Sequence, residues 1–238
     1  DHIALEATRR LGVVVTNTPN AATVAVAEHA LALLMSLARK IPQLDLRVRD
    51  GEWPGGQLTQ LAGKTLGIVG TGAVGIRLAS IAEGIGMRIL TSSLRESSEI
   101  SSAGERPNWT EVGFSELLGS ADVISVHARL TPKTRSMFGS SEFSRMKPTA
   151  LFVNTARGQL VNNRALTDAL ANETIAGAAL DVFGSQPLDR NSILARLPNV
   201  ILTPHIASNT NEALTVSLNM VVDNVVDFMH GRVRNKVK

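Results

Sequence analysis

No cysteine occurs in the chain, which excludes a disulfide, a thiolate nucleophile and any cysteine-ligated metal. That absence gives no direct indication of redox compartment. Tyrosine is missing as well, and aromatic residues make up only 3% of the sequence. An excess of one charge is also lacking: 24 basic and 21 acidic residues are interspersed, so the net charge of +3 reflects a small imbalance and not a basic face for nucleic acid. Long hydrophobic runs are scarce. The longest, Ala21 to Ala38, is interrupted by Glu28 and His29 and is rich in alanine, so it reads as a buried helix and not as a membrane span. No signal peptide opens the chain, and Asp1 is not an initiator methionine, so the chain reads as a fragment that begins inside a domain. What is present, 238 residues with 44% hydrophobic content, suffices for a sizeable core in one large or two modest domains. The expectation is a soluble, cytoplasmic globular protein.

The most informative stretch is Leu66-Gly67-Ile68-Val69-Gly70-Thr71-Gly72-Ala73-Val74-Gly75. An apolar run of strand type enters Gly-x-Gly-x-x-Gly, and the amphipathic segment Ile76 to Ile85 leaves it, the strand, turn and helix that cradle a dinucleotide pyrophosphate. Gly70 permits the sharp turn, Gly72 lets a phosphate approach the backbone, and Gly75 lets the helix pack on its strand. The helix start at Ala73, Val74 and Gly75 then offers free N–H groups to the anion. Taken alone the motif is equally compatible with a structural glycine-rich turn, but both flanks fit.

Before this motif, His2 to Arg10 reads as a short helix leading into a strand over Gly12 to Val15, and Ala22 to Arg39 as a long helix ending before Pro42. Arg49 to Gly56 reads as an irregular arm whose Trp53 is either ordinary surface or a partner-contact anchor. From Lys64 on, strands and helices alternate. The strand candidates are Leu66–Val69, Met87–Thr91, Asp122–Val126, Ala150–Asn154, Gly177–Asp181 and Val200–Leu202. Helix candidates are Ala73–Ile85, Ser115–Leu118, Ser141–Met146, Asn163–Ala171 and Ser192–Arg196, with Leu94–Asn108 as a solvated insertion. This alternation predicts an α/β fold, a doubly wound, Rossmann-like parallel sheet with ligands at the carboxyl ends of its strands. The last helix, Asn209 to His230, carries an apolar stripe at Leu214, Leu218, Val221, Val222, Val225 and Phe228 that needs a covering surface. The expected division is 1–19 as the remnant of a second, smaller domain, 20–208 as the dinucleotide-binding domain and 209–238 as a helix returning to the smaller one.

Several positions at strand ends carry the candidate chemistry. Arg157, in Asn154-Thr155-Ala156-Arg157-Gly158, places a bidentate donor in the crevice, with Thr155 and Ala156 beside it along the cofactor. A plain surface arginine is the competing reading. His205, in Thr203-Pro204-His205-Ile206, is the best general acid/base candidate among the five histidines. His127 stands at another strand end and can line the cofactor groove, while His2, His29 and His230 read as solvated or packed. Asp181 either caps a turn or accepts from a nicotinamide carboxamide. No ligand-spaced partners accompany His127 or His205, so no metal is expected.

The glycine motif, Asn-Thr-Ala-Arg-Gly, the run Gly177 to Pro187 and Thr-Pro-His-Ile, in this order and spacing, resemble the D-isomer-specific 2-hydroxyacid dehydrogenases. Glu28-His29-Ala30-Leu31-Ala32-Leu33-Leu34 and Arg49-x-Gly-x-Trp53 are similar to that family too, and the resemblance runs from residue 1 to about residue 230. The family's N-terminal segment, most of its substrate domain, has no counterpart. The resemblance implies NAD(P)-dependent hydride transfer between a small 2-keto acid and its D-2-hydroxy acid, of the glyoxylate or hydroxypyruvate reductase kind. In it Arg157 would clamp the keto acid and His205 would donate the proton. It also implies a homodimer built on the cofactor domain, with the long helix and the Trp53 arm in the contact.

Two positions depart from the family pattern. The usual catalytic glutamate, five residues after the aspartate, is Gln186, which orients an imidazole but adds no charge. Formate dehydrogenases of the superfamily also carry glutamine there, so that activity remains an alternative, as does a dinucleotide-sensing role like that of the C-terminal binding protein corepressors. The second departure is at the end of the second strand, where an NAD site places a carboxylate about twenty residues after the glycines. Leu90-Thr91-Ser92-Ser93-Leu94-Arg95 has none. Neutral Ser93 and cationic Arg95 favour the 2′-phosphate of NADP over NAD, unless Glu96 or Glu99 folds back.

Overall fold

The computed structural model describes residues 3–94 and 109–237. Its contacts divide the chain into two compact units, residues 26–207 and a smaller one made of residues 1–25 with 208–238. The boundary falls within the second helix.

The larger unit is built on a seven-stranded sheet in the order β3-β2-β1-β4-β5-β6-β7. Its strands are β1 (Thr65–Val69), β2 (Arg88–Ser92), β3 (Trp109–Glu111), β4 (Val123–Val126), β5 (Leu151–Asn154), β6 (Gly177–Leu180) and β7 (Val200–Leu202). Every neighbouring pair is parallel. The helices are α2 (Thr23–Ala38), α3 (Ile41–Arg49), α4 (Ala73–Gly84), α5 (Phe114–Ser120), α6 (Ser140–Arg145) and α7 (Asn163–Ala171). They follow α1 (Leu5–Arg10) and precede α8 (Asn211–Met229), both in the smaller unit.

Successive strand residues point to opposite faces, so a sheet covered on both sides needs apolar residues at every position. Strands β1, β4, β5 and β6 come close to that demand, each buried along its whole length with Thr65, Ser125 and Asn154 as the polar residues among them. On one face Ile124, Val126, Phe152 and Leu180 pack against Leu117 and Leu118 of α5, Phe143 of α6 and Leu166 and Leu170 of α7. On the other, Leu66, Ile68, Val123, Val153 and Ala179 meet Ala27, Ala30, Leu34 and Leu37 of α2 and Leu78, Ala79 and Ala82 of α4. The alanines let those two helices sit close to the sheet. The expected doubly wound parallel sheet is therefore present.

Four local expectations are corrected. Gly12–Val15 forms no strand; Gly12 and Val13 donate back to the Arg9 and Thr8 carbonyls at 3.2 and 2.8 Å, and the Val15 carbonyl accepts from Val237 N–H at 2.9 Å beside the isolated antiparallel bridge Thr16 to Lys236. The long helix ends before Pro42 as expected, but the stretch that follows, for which the sequence pattern indicates no element, is α3, with Pro42 in its first turn, where its missing N–H would have no partner. The sheet also has one strand more than the apolar runs indicate: β3 is three residues long and mostly solvent-facing, so its sequence carries no strand signal. Ser192–Arg196 is a 3₁₀ turn over Ile193–Arg196 in place of an α-helix.

In the smaller unit, Asn224 of α8 is buried and acts as a polar hub: its Nδ2 donates to the Asn17 carbonyl at 3.0 Å, and its Oδ1 accepts from Asn235 Nδ2 at 2.9 Å. The α8 stripe of Leu214, Leu218, Val221, Val222, Val225 and Phe228 is exposed along its whole length.

Candidate active site

Because every strand runs the same way, all seven carboxyl ends open on one edge of the sheet. Backbone bonds join the chain exits there: Gly70 N–H to Ser92 O at 3.0 Å, His127 N–H to Val69 O at 2.8 Å, Asp181 N–H to Asn154 O at 3.0 Å, and Thr203 N–H to Leu180 O at 2.9 Å. The residues singled out at strand ends thus share one crevice edge.

The turn from β1 to α4 has the form of an anion cradle. Gly70 lies at φ +101°, and a Cβ there would stand 2.7 Å from Ala128 N. A Cβ on Gly75 would reach 2.3 Å from Gly70 O, so the helix could not start this close to the strand with any other residue. Gly72, by contrast, faces open space. No side chain caps the start of α4 and no acidic residue occupies its first turn, which leaves the Ala73, Val74 and Gly75 amides for a ligand.

At the end of β5 the Asn154 side chain shapes the next turn. Its Oδ1 accepts from Ala156 N at 3.0 Å and its Nδ2 donates to Arg157 O at 3.0 Å. Arg157 is consequently in extended backbone with its side chain exposed, and one guanidinium N–H meets Ala156 O at 2.7 Å. Thr155 Oγ1 is buried with no hydrogen-bond partner. A buried hydroxyl is costly to leave unpaired, so this atom and the open side of Gly72 are the observations in this protein that fit a dinucleotide lying along the edge.

His205 lies at φ +56°, a left-handed backbone that costs a non-glycine residue about 1 kcal/mol. The fully buried carboxylate of Asp181 holds that turn: it accepts from Ile206 N and Ala207 N, each at 3.0 Å, and from Thr203 Oγ1 at 2.6 Å. The turn-capping reading of Asp181 is the one its geometry displays. The exposed His205 ring pairs through Nδ1 with Gln186 Oε1 at 2.8 Å. An amide oxygen only accepts, so Nδ1 carries the hydrogen and Nε2 is left for a substrate. A cleft of about 640 Å³, walled by Phe183, Pro187, Leu188, Leu202 and Pro204, lies against this pair.

His127, at the end of β4, is half-buried and its Nε2 is 2.9 Å from Ser125 Oγ. Burial pushes its imidazole down to about 4, so it is neutral at physiological pH. Ser93 follows β2, half-buried, with no carboxylate among Thr91 to Leu94, while Arg95, Glu96 and Glu99 fall outside the described residues. Among the described residues no cluster of three or more potential ligands could hold a metal ion, and no helix is long and apolar enough to cross a membrane.

The sequence reading missed two contributors. His29 of α2, read as merely solvated or packed, has Nε2 3.1 Å from Thr203 Oγ1 and 3.5 Å from Asp181 Oδ1. Nothing local signals this pairing. Gly158 follows Arg157, and a Cβ on it would stand 2.0 Å from the Phe183 carbonyl carbon, so the Arg157 and Asp181 loops touch backbone to backbone. The glycine next to Arg157 was the available signal.

Comparison with known proteins agrees with this arrangement. A model of the D-isomer specific 2-hydroxyacid dehydrogenase, NAD binding domain, matches residues 31–207. The chain is 42% identical to a glyoxylate reductase of Aeropyrum pernix over 243 residues, covering 98% of this chain and 71% of that protein. Among solved structures, a Thermus thermophilus protein superposes with a TM-score of 0.91 at 36% identity, over 100% of this chain and 76% of that one. An acyclic imino acid reductase in complex with NADPH and D-Arg superposes with a TM-score of 0.89 at 29% identity, over 100% and 75%. The chain therefore belongs to the D-isomer specific 2-hydroxyacid dehydrogenase family and carries that family's NAD-binding domain.

Proposed function

We propose that the protein reduces a small 2-keto acid, glyoxylate or hydroxypyruvate, to the D-2-hydroxy acid, with NADPH preferred over NADH. The observation that carries this reading is the 2.8 Å pairing of His205 Nδ1 with Gln186 on the strand edge that also presents Arg157. The Aeropyrum relative is a glyoxylate reductase, which supports the substrate class.

Arg157 binds the keto acid through a bidentate clamp on carboxylate and carbonyl and draws charge toward the carbonyl oxygen. Bound nicotinamide supplies the hydride that the carbonyl carbon accepts. His205, protonated, gives its Nε2 hydrogen to the oxygen as negative charge develops there, and Gln186 keeps the ring turned so that Nε2 faces the substrate. The amides of Ala73, Val74 and Gly75, with Gly70 and Gly72, bind the pyrophosphate; Thr155, Ala156, His127 and Asp181 border the nicotinamide half. Ser93 stands where the adenosine ribose would lie, and the absence of a carboxylate from Thr91 through Leu94 supports NADPH; Arg95, next in the sequence, has the charge to pair with a 2′-phosphate. The smaller unit belongs to a substrate domain, and the Trp53 arm joins two copies into a homodimer.

Titration with NADPH and NADH, followed by the fluorescence of Trp53 and Trp109, should show tighter binding of NADPH. Glyoxylate turnover should then fall about a hundredfold or more in His205→Ala while NADPH affinity is kept. NADPH binding without turnover of any keto acid, in a panel that also includes formate with NADP⁺, would favour a dinucleotide-sensing role instead.

A further inference from the structure

The contacts below β7 define a direction. Thr203 Oγ1 is 2.6 Å from Asp181 Oδ1 and 3.1 Å from His29 Nε2. A hydroxyl has one hydrogen, and the carboxylate has none to offer, so the hydroxyl hydrogen lies on the short bond to Asp181. Thr203 must then accept from His29, and His29 must carry its hydrogen on Nε2. The same hydrogen points toward Asp181 Oδ1, 3.5 Å away. That same Oδ1 also accepts from the Ile206 amide and Oδ2 from the Ala207 amide, the two residues that follow His205.

We propose that His29, Thr203 and Asp181 form a one-way hydrogen-bonded chain that fixes the left-handed backbone of His205, which makes His29 and Thr203 positioning residues for the proton donor. The chain runs from Nε2–H of His29 to the Thr203 hydroxyl, from that hydroxyl to the carboxylate, and the carboxylate grips the turn. Gln186 orients the His205 ring from one side; this chain sets the backbone from the other. Two devices are needed because the left-handed conformation is disfavoured for histidine and the residue is exposed, so ring packing alone does not hold it. Cooperative polarisation along such a chain strengthens the Thr203–Asp181 bond, and so holds the buried carboxylate in place under the turn. The catalytic part of this inference rests on the dehydrogenase reading; the chain itself does not.

Nitrogen NMR of the imidazoles tests the direction without any substitution. A hydrogen on Nε2 of His29 is expected, and a ring protonated on Nδ1 alone would overturn the proposal. Thr203→Val removes the hydroxyl at nearly constant shape; hydrogen exchange at the Ile206 and Ala207 amides should quicken about tenfold or more. In glyoxylate reduction the same variant should lower kcat about tenfold with the KM for NADPH unchanged, and Thr203→Ser should restore both. His29→Gln, which keeps a donor, should stay closer to the parent protein than His29→Leu. Unaltered exchange and unaltered kcat in Thr203→Val would sink the proposal. If the parent protein turns over no keto acid, the dehydrogenase reading fails, while the tautomer and the exchange rates still decide the chain.

Discussion

Gln186 is where one atom distinguishes this site from its family's pattern. Its Oε1 accepts from His205 Nδ1 as a carboxylate oxygen would, but it brings no negative charge to favour imidazolium. Gln186→Glu should therefore keep the proton donor charged to higher pH and move the alkaline limb of keto-acid reduction upward. The kcat/KM profile against pH reads this directly, and an unchanged profile would show that charge at this position does not set the donor's protonation. His127 gives a stability prediction of definite sign. Its folded pKa, about 4, lies below the unfolded value near 6.5, so as pH falls through that interval the unfolded chain takes up a proton that the fold refuses. Stability should decline from pH 6.5 to 4, by about 3 kcal/mol at most, and level off below that. Denaturant unfolding of His127→Asn should lack that part of the slope. Arg157, His205 and the glycines were readable because each stands at the end of an apolar run, whereas Gln186, out in a loop, was readable only through the family resemblance. His29 was not, since its partner Thr203 lies 174 residues away and only the closed sheet brings them together.

At the level of elements, the loops after β5 and β6 behave as one piece. Gly158 lets them meet, and a Cβ would collide with backbone atoms that have no rotamer to yield. Gly158→Ala should cost about 2 kcal/mol of stability, a fall of roughly 5 °C in Tm. It should also lower kcat, because the displaced loop carries Arg157 on one side and leads toward Gln186 on the other. Calorimetry and turnover on the same sample check both. The strands buried on both faces announced themselves as continuous apolar runs, whereas β3 did not, with Thr110 and Glu111 turned to solvent and only one aromatic residue anchoring it. α3 was hidden for a different reason. Proline marks a helix end and a helix start equally well, and only the geometry of Lys40, at φ +51°, tells which applies at Pro42.

Across the described residues, exposed apolar side chains are densest on α8, and a second group lies in the larger unit. Trp53 is 91% exposed, and Ile41, Leu46 and Val48 of α3 are exposed on the same stretch of chain. An isolated tryptophan of this exposure is the kind of side chain that dominates an interface when a partner covers it. Trp53→Ala should weaken self-association by about 2 kcal/mol, roughly thirtyfold in Kd, while leaving NADPH affinity unchanged. Sedimentation across a dilution series measures it.

The strand order has a consequence for biosynthesis. β1, β2 and β3 leave the ribosome first and assemble outward on one side, but the other edge of β1 is claimed only when β4 arrives at residue 123. Until then Leu66, Ile68 and Val69 present an open, apolar strand edge, the template on which nascent chains pair with one another. Rapid, crowded synthesis should therefore drive this protein into inclusion bodies more readily than slow synthesis in the cold, and a chaperone that holds the chain between β3 and β4 should recover it.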